Sequence, residues 1–346
     1  MGLYIGDREI SQRSEPLVIA EIGINHEGEL DKAICMVDSA FDAGCECVKF
    51  QSHVVEDEMI PNSVIPGNAS ESIWDIMVRC SLSMEEERAL KQYVDDLGML
   101  YLCTPFSRAA AKRQADLGVK AYKIGSGECN NYPLVDFIAS FGRPIILSTG
   151  MNDISAIKRS VEIFRKRNVD FALLQCTSVY PTPYEKVNLS AIPEFLSLFP
   201  DAIVGLSDHS LGNFSSYAAI ALGARIIEKH FTLDKTWPGP DNSMSISPTE
   251  LRELIAGVNA VFKSMGNGKK RLPEEQPTID FAYACVVSIE DIPEGVKLSR
   301  KNIWVKRPGT GDIPAGDFEQ VLGATAKGFI PKNTQLSLDM LDLKNG

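Results

Sequence analysis

Short apolar segments alternate with amphipathic segments eight times in the first three quarters of the chain, and this alternation constrains the fold most. The apolar segments are rich in β-branched residues, which is typical of strands. Between the first two, apolar residues recur at helical spacing from Leu30 to Phe41, and Gly44 follows as a stop signal. Strands that are apolar throughout are buried on both faces, so the pattern predicts a parallel sheet covered by helices. The predicted strands are 17–22, 47–50, 99–103, 121–124, 144–147, 171–175, 202–206 and 225–229.

Eight strand–helix units match the usual size of a (β/α)8 TIM barrel, which we predict for residues 1–265. A doubly wound open sheet is the structural alternative, but the first predicted strand is followed by INHEGE and not by a Gly-rich dinucleotide fingerprint. Residues 266–282 have no periodicity and are interpreted as a linker. The segment from Ser52 to Ser83, after the second predicted strand, is predicted to be a long irregular loop at the rim of the barrel. Residues 283–346 contain short strands separated by turns and are predicted to form a small β-rich domain.

Composition and charge narrow the class of protein. Hydrophobic residues make up 44% of the 346 residues and charged residues 23%, which is typical of a globular protein. The net charge of -11 argues against nucleic acid as a partner. We find neither a signal peptide nor an apolar run long enough to span a membrane, so a soluble, cytoplasmic location is expected. The eight cysteines form no C-x-x-C pair and are interpreted as buried apolar residues.

Polar side chains occur at the carboxyl end of every predicted strand, where the active sites of TIM barrels lie. His209 and His230 follow neighbouring strands and would stand side by side. Together with Glu21 and Asp241 they suggest a divalent metal site with open positions, and two imidazoles suit manganese, iron or zinc better than calcium. The alternative is that each histidine is a hydrogen-bonded rim residue.

Two lysines, Lys49 and Lys123, interrupt strands that are otherwise apolar. A buried lysine needs an anion or a carboxylate beside it. One interpretation is a pair of internal ion pairs with Glu21 and Glu128. The other is a cradle for phosphate or carboxylate, completed by the hydroxyl groups of Thr104, Ser126 and Ser148.

Several motifs, in order along nearly the whole chain, resemble the sialic acid synthase family. These are the nonulosonic acid synthases, which act on N-acetylmannosamine and its relatives. The barrel motifs are LVIAEIGINHEGEL, CVKFQ, KIGSGE, ILSTGM, QCTSVYPTP, GLSDHS, EKHFTLDK and PGPD. The C-terminal motifs DIPEG and KRPGTGDIPAGDF resemble the antifreeze-like SAF domain of that family, which has a β-clip fold.

The resemblance implies a transferase of bacterial surface-glycan biosynthesis that condenses phosphoenolpyruvate with an N-acylated open-chain hexose and releases phosphate by C–O cleavage. It implies catalytic roles for Glu21, Lys49, Lys123 and Glu128, with Glu128 as the proton carrier. It implies a divalent metal on His209 and His230, with Mn²⁺ the first choice and Mg²⁺ or Co²⁺ as alternatives. It also implies a homodimer in which each SAF domain caps the partner's barrel. The positions that match substrate contacts are Gln51, Thr104, Ser126, Ser148, Tyr180, Asp241 and, in the SAF domain, Arg307.

Two departures leave the sugar open among N-acetylmannosamine, a 2,4-diacetamido-trideoxyhexose and mannose. Asn242 stands where many relatives have a histidine, and residues 281–285 lack an arginine-rich stretch. The main rival function is a class I aldolase that forms a Schiff base with pyruvate on Lys49, Lys123 or Lys229. Synthases that use arabinose 5-phosphate or erythrose 4-phosphate lack a SAF domain. A non-catalytic binding protein is a further alternative.

Overall fold

The chain divides into two compact units, Met1–Gly266 and Asn267–Gly346. The structure, a computed structural model, describes residues 2–67 and 69–343. The boundary between the two units lies within two residues of the predicted end of the barrel domain. Among the described residues, no helix combines the length and the apolar character needed to span a bilayer; the cytoplasmic location stays a prediction.

The first unit is the predicted barrel. Its strands β1–β8 form one parallel sheet in the order β3-β2-β1-β8-β7-β6-β5-β4, and β3 lies beside β4, which closes the barrel. Each strand lies within two residues of its predicted bounds, so the prediction of a (β/α)8 fold is confirmed. The strands are β1 Leu17–Gly23, β2 Cys47–Ser52, β3 Leu100–Pro105, β4 Tyr122–Ile124, β5 Ile145–Ser148, β6 Phe171–Cys176, β7 Ile203–Asp208 and β8 Ile226–His230.

A helix follows each strand and covers the outside of the barrel. The first buries Ala33, Met36, Val37 and Ala40 against the sheet, and Gly44 beyond its end has a φ of 85°. The last begins at a capping box formed by Ser247 and Glu250. The helices are α1 Leu30–Asp42, α2 Met84–Asp96, α3 Arg108–Asp116, α4 Tyr132–Ala139, α5 Ile154–Arg167, α6 Ala191–Leu198, α7 Phe214–Ala221 and α8 Pro248–Ser264.

Inward-facing side chains change character along the barrel axis. Near the amino ends of the strands they are apolar, as at Leu17 and Ile226, and they share one cluster with Leu3 and Ile5. These last two belong to an antiparallel hairpin, Gly2–Ile5 with Arg8–Ser11, which the sequence pattern does not reveal. Because strand side chains alternate between the two faces, the inward positions farther along each strand carry the polar groups of the site.

The rim segment between β2 and α2 is more regular than predicted. It was expected to be irregular from Ser52 to Ser83, but it contains helices Val55–Glu58 and Ile73–Cys80. The second begins at Ser72, whose hydroxyl group accepts a hydrogen bond from the backbone N–H of Asp75. Its apolar residues recur at helical spacing and pack as a small satellite cluster.

The second unit has its own apolar cluster, which includes Val286, Ile303 and Phe318. The interval interpreted as a linker, 266–282, contains the helix Gln276–Ala282. The remaining elements are the antiparallel pair Cys285–Ser288 and Ile303–Lys306, the helix Phe318–Val321 and the pair Thr325–Ala326 and Leu341–Asp342.

Candidate active site

A cavity of about 360 Å³ opens at the carboxyl ends of the barrel strands. Its walls contain eleven of the thirteen predicted site residues, all except Glu128 and Arg307. The structure therefore brings together eleven of the predicted residues at one place. They are Glu21, Lys49, Gln51, Thr104, Lys123, Ser126, Ser148, Tyr180, His209, His230 and Asp241.

The two strand lysines reach this cavity from inside the barrel. Lys49 Nζ lies 2.7 Å from a carboxylate oxygen of Glu21 and 3.2 Å from Thr104 Oγ1. Lys123 Nζ donates a hydrogen bond to Ser148 Oγ at 2.6 Å. Both lysines are at most 4% exposed, so each is held by partners that offset the cost of burying an ammonium group.

Glu228 is the carboxylate between the two lysines, and the sequence reasoning missed it. Its Oε1 lies 3.7 Å from Nζ of Lys49 and 3.7 Å from Nζ of Lys123, and it accepts a hydrogen bond from Ser207 Oγ at 3.1 Å. Glu128, the expected partner of Lys123, is replaced by Glu228 in this role. The reason is the period of β8: Glu228 is two residues from His230 and therefore faces the same interior. That alternation is the signal that could have identified it.

The pKa values of the lysines diverge. Burial lowers the pKa of Lys49, but the carboxylates of Glu21 and Glu228 outweigh burial and raise it above its usual value. Burial also lowers the pKa of Lys123, and Glu228 offsets this only in part, so its pKa lies below the usual value. Lys49 is therefore firmly charged, whereas the charge of Lys123 depends more on what lies next to it.

The two histidines stand side by side, with ring centroids 5.4 Å apart. His209 Nδ1 lies 3.0 Å from the carbonyl oxygen of Thr177, which fixes its ring. His230 Nδ1 is buried without a hydrogen bond and lies 3.9 Å from Asp241 Oδ2. Tyr180 packs against the ring of His209 with a centroid distance of 4.2 Å.

A divalent ion fits this pair as a two-histidine site. The buried nitrogen of His230 lacks a partner that an ion or its water would supply, and imidazole nitrogens suit transition metals. No group of three or more His, Cys, Asp or Glu side chains arranged to hold a metal occurs in the described part of the chain. Water or substrate would therefore have to supply the remaining ligands of a divalent ion bound to the two histidines.

Two of the predicted site residues lie elsewhere. Glu128 ends the turn Ser126–Glu128 that follows β4, and it does not line the cavity. Its carboxylate accepts a hydrogen bond from Asn131 Nδ2 at 2.6 Å, and burial raises its pKa. Arg307 is an exposed residue of the second unit, after the strand Ile303–Lys306. The catalytic role of Glu128 and the substrate contact of Arg307 stay predictions.

Asn242 organises a loop and does not line the cavity. It is buried, accepts a hydrogen bond from Thr232 Oγ1 at 2.6 Å and donates one to the carbonyl oxygen of Pro238 at 2.6 Å. These bonds close the loop that brings Asp241 to the cavity wall. Lys229 also faces away, because it alternates with Glu228 and His230, and it forms a buried ion pair of 2.8 Å with Asp208.

Comparison with known proteins agrees with this architecture. The NeuB family matches residues 36–270 and the SAF domain matches residues 283–342. N-acetylneuraminate-9-phosphate synthase of Homo sapiens is 34% identical over 331 residues, which cover 94% of this chain and 92% of that one. N,N'-diacetyllegionaminic acid synthase of Campylobacter jejuni is 36% identical over 320 residues, covering 90% and 95%.

A solved structure supports the same assignment. N-acetylneuraminic acid synthetase from Leptospira borgpetersenii, crystallised in complex with citrate, superposes with a TM-score of 0.75 at 33% sequence identity. The match covers 81% of this chain and 95% of that one. The resemblance noted in the sequence is thus confirmed: the chain belongs to the NeuB family and carries a SAF domain at residues 283–342.

Proposed function

We propose that this protein condenses phosphoenolpyruvate with an N-acylated open-chain hexose to form a nonulosonic acid. C3 of phosphoenolpyruvate would bond to the aldehyde carbon, water would add to C2, and the C2–O bond would break so that phosphate leaves with the bridging oxygen. The observation that carries the proposal is the pair of buried lysines, Lys49 and Lys123, on the cavity wall. A small anion with two anionic groups, a phosphate and a carboxylate, is a ligand that such a pair suits.

The hydroxyl groups around the lysines support an anion site. Thr104 is hydrogen-bonded to Lys49, and Ser148 to Lys123. Ser126 Oγ accepts a hydrogen bond from the backbone N–H of Gly150 at 3.0 Å, which directs the hydroxyl hydrogen elsewhere. These groups would bind the phosphate and the carboxylate of phosphoenolpyruvate and hold C3 in one orientation.

The charges on the cavity wall support a divalent cation. Two lysines face three carboxylates there, those of Glu21, Glu228 and Asp241. Adding an anionic phosphate ester to such a cavity is unfavourable unless more positive charge is present. We propose that His209 and His230 hold the cation, Mn²⁺ first; when bound, such an ion polarises a carbonyl group and acidifies water.

An apolar wall supports an acylated sugar over plain mannose. Ile24, Ile73, Ile76 and Met77 line the cavity beside the polar groups. The methyl group of an N-acyl substituent would be buried against them, at about 0.8 kcal/mol per carbon transferred from water. The relatives named above are synthases of N-acetylated products, as their names state.

We further propose a homodimer in which the SAF domain of one subunit covers the barrel of the other. Arg307 would then contact the partner's sugar. Its exposed position after a strand of the second unit supports this, since a guanidinium group there is free to meet a polar ligand. A closed dimer would also exclude water from the two sites.

The test is phosphate release from phosphoenolpyruvate with a panel of aldoses: N-acetylmannosamine, its 6-phosphate, a 2,4-diacetamido-trideoxyhexose and mannose. Phosphoenolpyruvate labelled with ¹⁸O at the bridging position should yield labelled phosphate. The rival Schiff-base aldolase would instead be trapped by borohydride with pyruvate. Lys123 is its best candidate, since Lys49 is firmly charged and Lys229 faces away from the cavity. Trapping without phosphate release would overturn the proposal.

A further inference from the structure

A chain of hydrogen bonds runs from the rim segment into the cavity. Glu58 Oε2 lies 2.7 Å from His53 Nδ1, and His53 Nε2 lies 3.1 Å from Gln51 Oε1. Gln51 Nε2 then donates to Glu21 Oε1 at 3.2 Å, and Glu21 pairs with Lys49. Of these residues, Gln51, Glu21 and Lys49 line the cavity, whereas His53 and Glu58 lie behind them.

His53 is held rigidly in this position. It is 4% exposed, and its ring stacks on Phe106 with a centroid distance of 4.8 Å and an interplanar angle of 12°. Stacking and two hydrogen bonds together fix both the place and the rotation of the ring.

The direction of each hydrogen bond follows from the chemistry of its ends. The carboxylate of Glu21 can only accept, so the amide nitrogen of Gln51 must face it, and the amide oxygen must face His53. His53 Nε2 therefore donates. On the other side of the ring, Nδ1 lies beside the carboxylate of Glu58, which holds that edge of the ring in place.

The carboxamide of Gln51 has one orientation only while both neighbours are present. A rotated carboxamide would place its oxygen against the Glu21 carboxylate and its NH₂ group against the N–H of His53. Both hydrogen bonds of Gln51 would then be replaced by repulsive contacts. Gly23 leaves space for this arrangement: it has a φ of 56°, and a Cβ there would come within 3.2 Å of Gln51 Nε2 and 3.0 Å of Glu21 Oε1.

We propose that His53 is a positioning residue for the aldose. It acts through Gln51: by donating to the amide oxygen, it presents the NH₂ group of Gln51 to the part of the cavity where the sugar's hydroxyl groups bind. Glu58 in turn anchors His53. This inference rests on the proposed function for the identity of the sugar, but the hydrogen-bond chain itself is present without any ligand.

The kinetic test uses two variants of similar size. His53→Phe keeps the stacking on Phe106 but removes the donor, and His53→Gln restores an amide donor near the position of Nε2. We expect His53→Phe to raise KM for the aldose about 10-fold, with KM for phosphoenolpyruvate changed less than about twofold, because one hydrogen bond to the sugar is lost. His53→Gln should recover most of the aldose KM. Equal rises in both KM values in both variants would indicate a structural role and overturn the proposal.

A double-mutant cycle tests whether His53 acts through Gln51. In the background of Gln51→Ala, the change His53→Phe should raise the aldose KM less than twofold further, because the residue that it positions is already gone. Independent, multiplicative effects of the two changes would contradict the inference.

A cycle on stability in the ligand-free protein separates this inference from the proposed function. Urea unfolding of wild type, His53→Phe, Gln51→Ala and the double variant should show coupling between the two positions even if no aldose is ever turned over. Coupling together with no phosphate release would refute the proposed reaction and keep the hydrogen-bond chain. Additive stabilities would refute the chain itself.

Discussion

Lys123 and Lys229 are both buried, but Lys123 faces the cavity and Lys229 faces away from it, so they offer a matched pair of substitutions. Lys123→Met removes an ammonium group that faces the cavity, between Ser148 and Glu228. Lys229→Met removes an equally buried ammonium group that faces the helices and pairs with Asp208 at 2.8 Å. Both lysines are 2% exposed, so the chemical change and its burial are alike in the two variants.

The expected magnitudes separate binding from stability. Lys229→Met leaves the buried carboxylate of Asp208 without its cation at 2.8 Å, which should lower the free energy of unfolding by about 3–5 kcal/mol. Lys123→Met should lower it less, because Glu228 keeps Lys49 at 3.7 Å. Only Lys123→Met should raise the KM for phosphoenolpyruvate. Loss of one charge-assisted hydrogen bond costs about 1.5–3 kcal/mol, which corresponds to about a 10- to 150-fold rise in KM. The aldose KM should change much less, because Lys123 is placed at the phosphoenolpyruvate end.

The assay is phosphate release at varied phosphoenolpyruvate and saturating aldose, combined with urea unfolding of the same preparations. Lys229→Met serves as the control for a destabilised barrel with an intact cavity. If Lys229→Met raised KM for phosphoenolpyruvate as much as Lys123→Met, the effect would come from general loosening of the barrel. If Lys123→Met left that KM unchanged, the lysine cradle would be wrong.

Four other expectations follow from the same structure. Because only protonated Lys123 attracts the anion and its pKa is lowered, KM for phosphoenolpyruvate should rise with pH in wild type, whereas the rise should vanish in Lys123→Arg. Glu87→Ala should lower the free energy of unfolding, measured in urea, by about 3–5 kcal/mol, since the buried carboxylate of Glu87 pairs with the guanidinium group of Arg113 at 2.7 Å. Chelation should abolish phosphate release, and His209→Ala should lower the affinity for Mn²⁺ measured by calorimetry. Arg307→Ala and Lys123→Met can be mixed under subunit exchange at a phosphoenolpyruvate concentration where each variant alone has little activity. The mixture should regain about a quarter of the wild-type activity if the SAF domain acts on the partner's barrel, and none if it acts within its own chain.

The strands could be predicted closely because burial on both faces leaves a direct imprint on the sequence. Each of β1–β8 begins and ends within two residues of its apolar segment. The rim helices were not predicted because turn-forming residues surround them. The helical pattern of Ile73–Cys80 and its serine cap is short and is obscured by these neighbours. Periodicity over so few residues is a weak signal.

The site was predicted less completely than the fold, for a physical reason. Polar residues that follow an apolar strand are easily recognised in the sequence as candidate site residues. Glu228 is harder to recognise, because it lies inside an apolar strand and next to Lys229, which faces the other way. Which cation a buried carboxylate meets depends on the register of strands that are far apart in sequence. Glu228 reaches Lys123 only because β8 and β4 are brought across the same closed barrel. Residue identity alone therefore favoured Glu128 as the partner.

Lys49 and Lys123 form unequal ion pairs, which suggests how one cavity can be stable without a ligand and still bind an anion. Lys49 is held at 2.7 Å by Glu21, and that carboxylate is itself oriented by Gln51, so this pair is fixed before any ligand arrives. Lys123 has its nearest carboxylate at 3.7 Å and a lowered pKa, so its charge is incompletely matched in the empty cavity. An incoming anion gains most from the less satisfied lysine, because no close ion pair has to be broken there. Binding would then raise the pKa of Lys123, which links the strength of phosphoenolpyruvate binding to the protonation of this one residue.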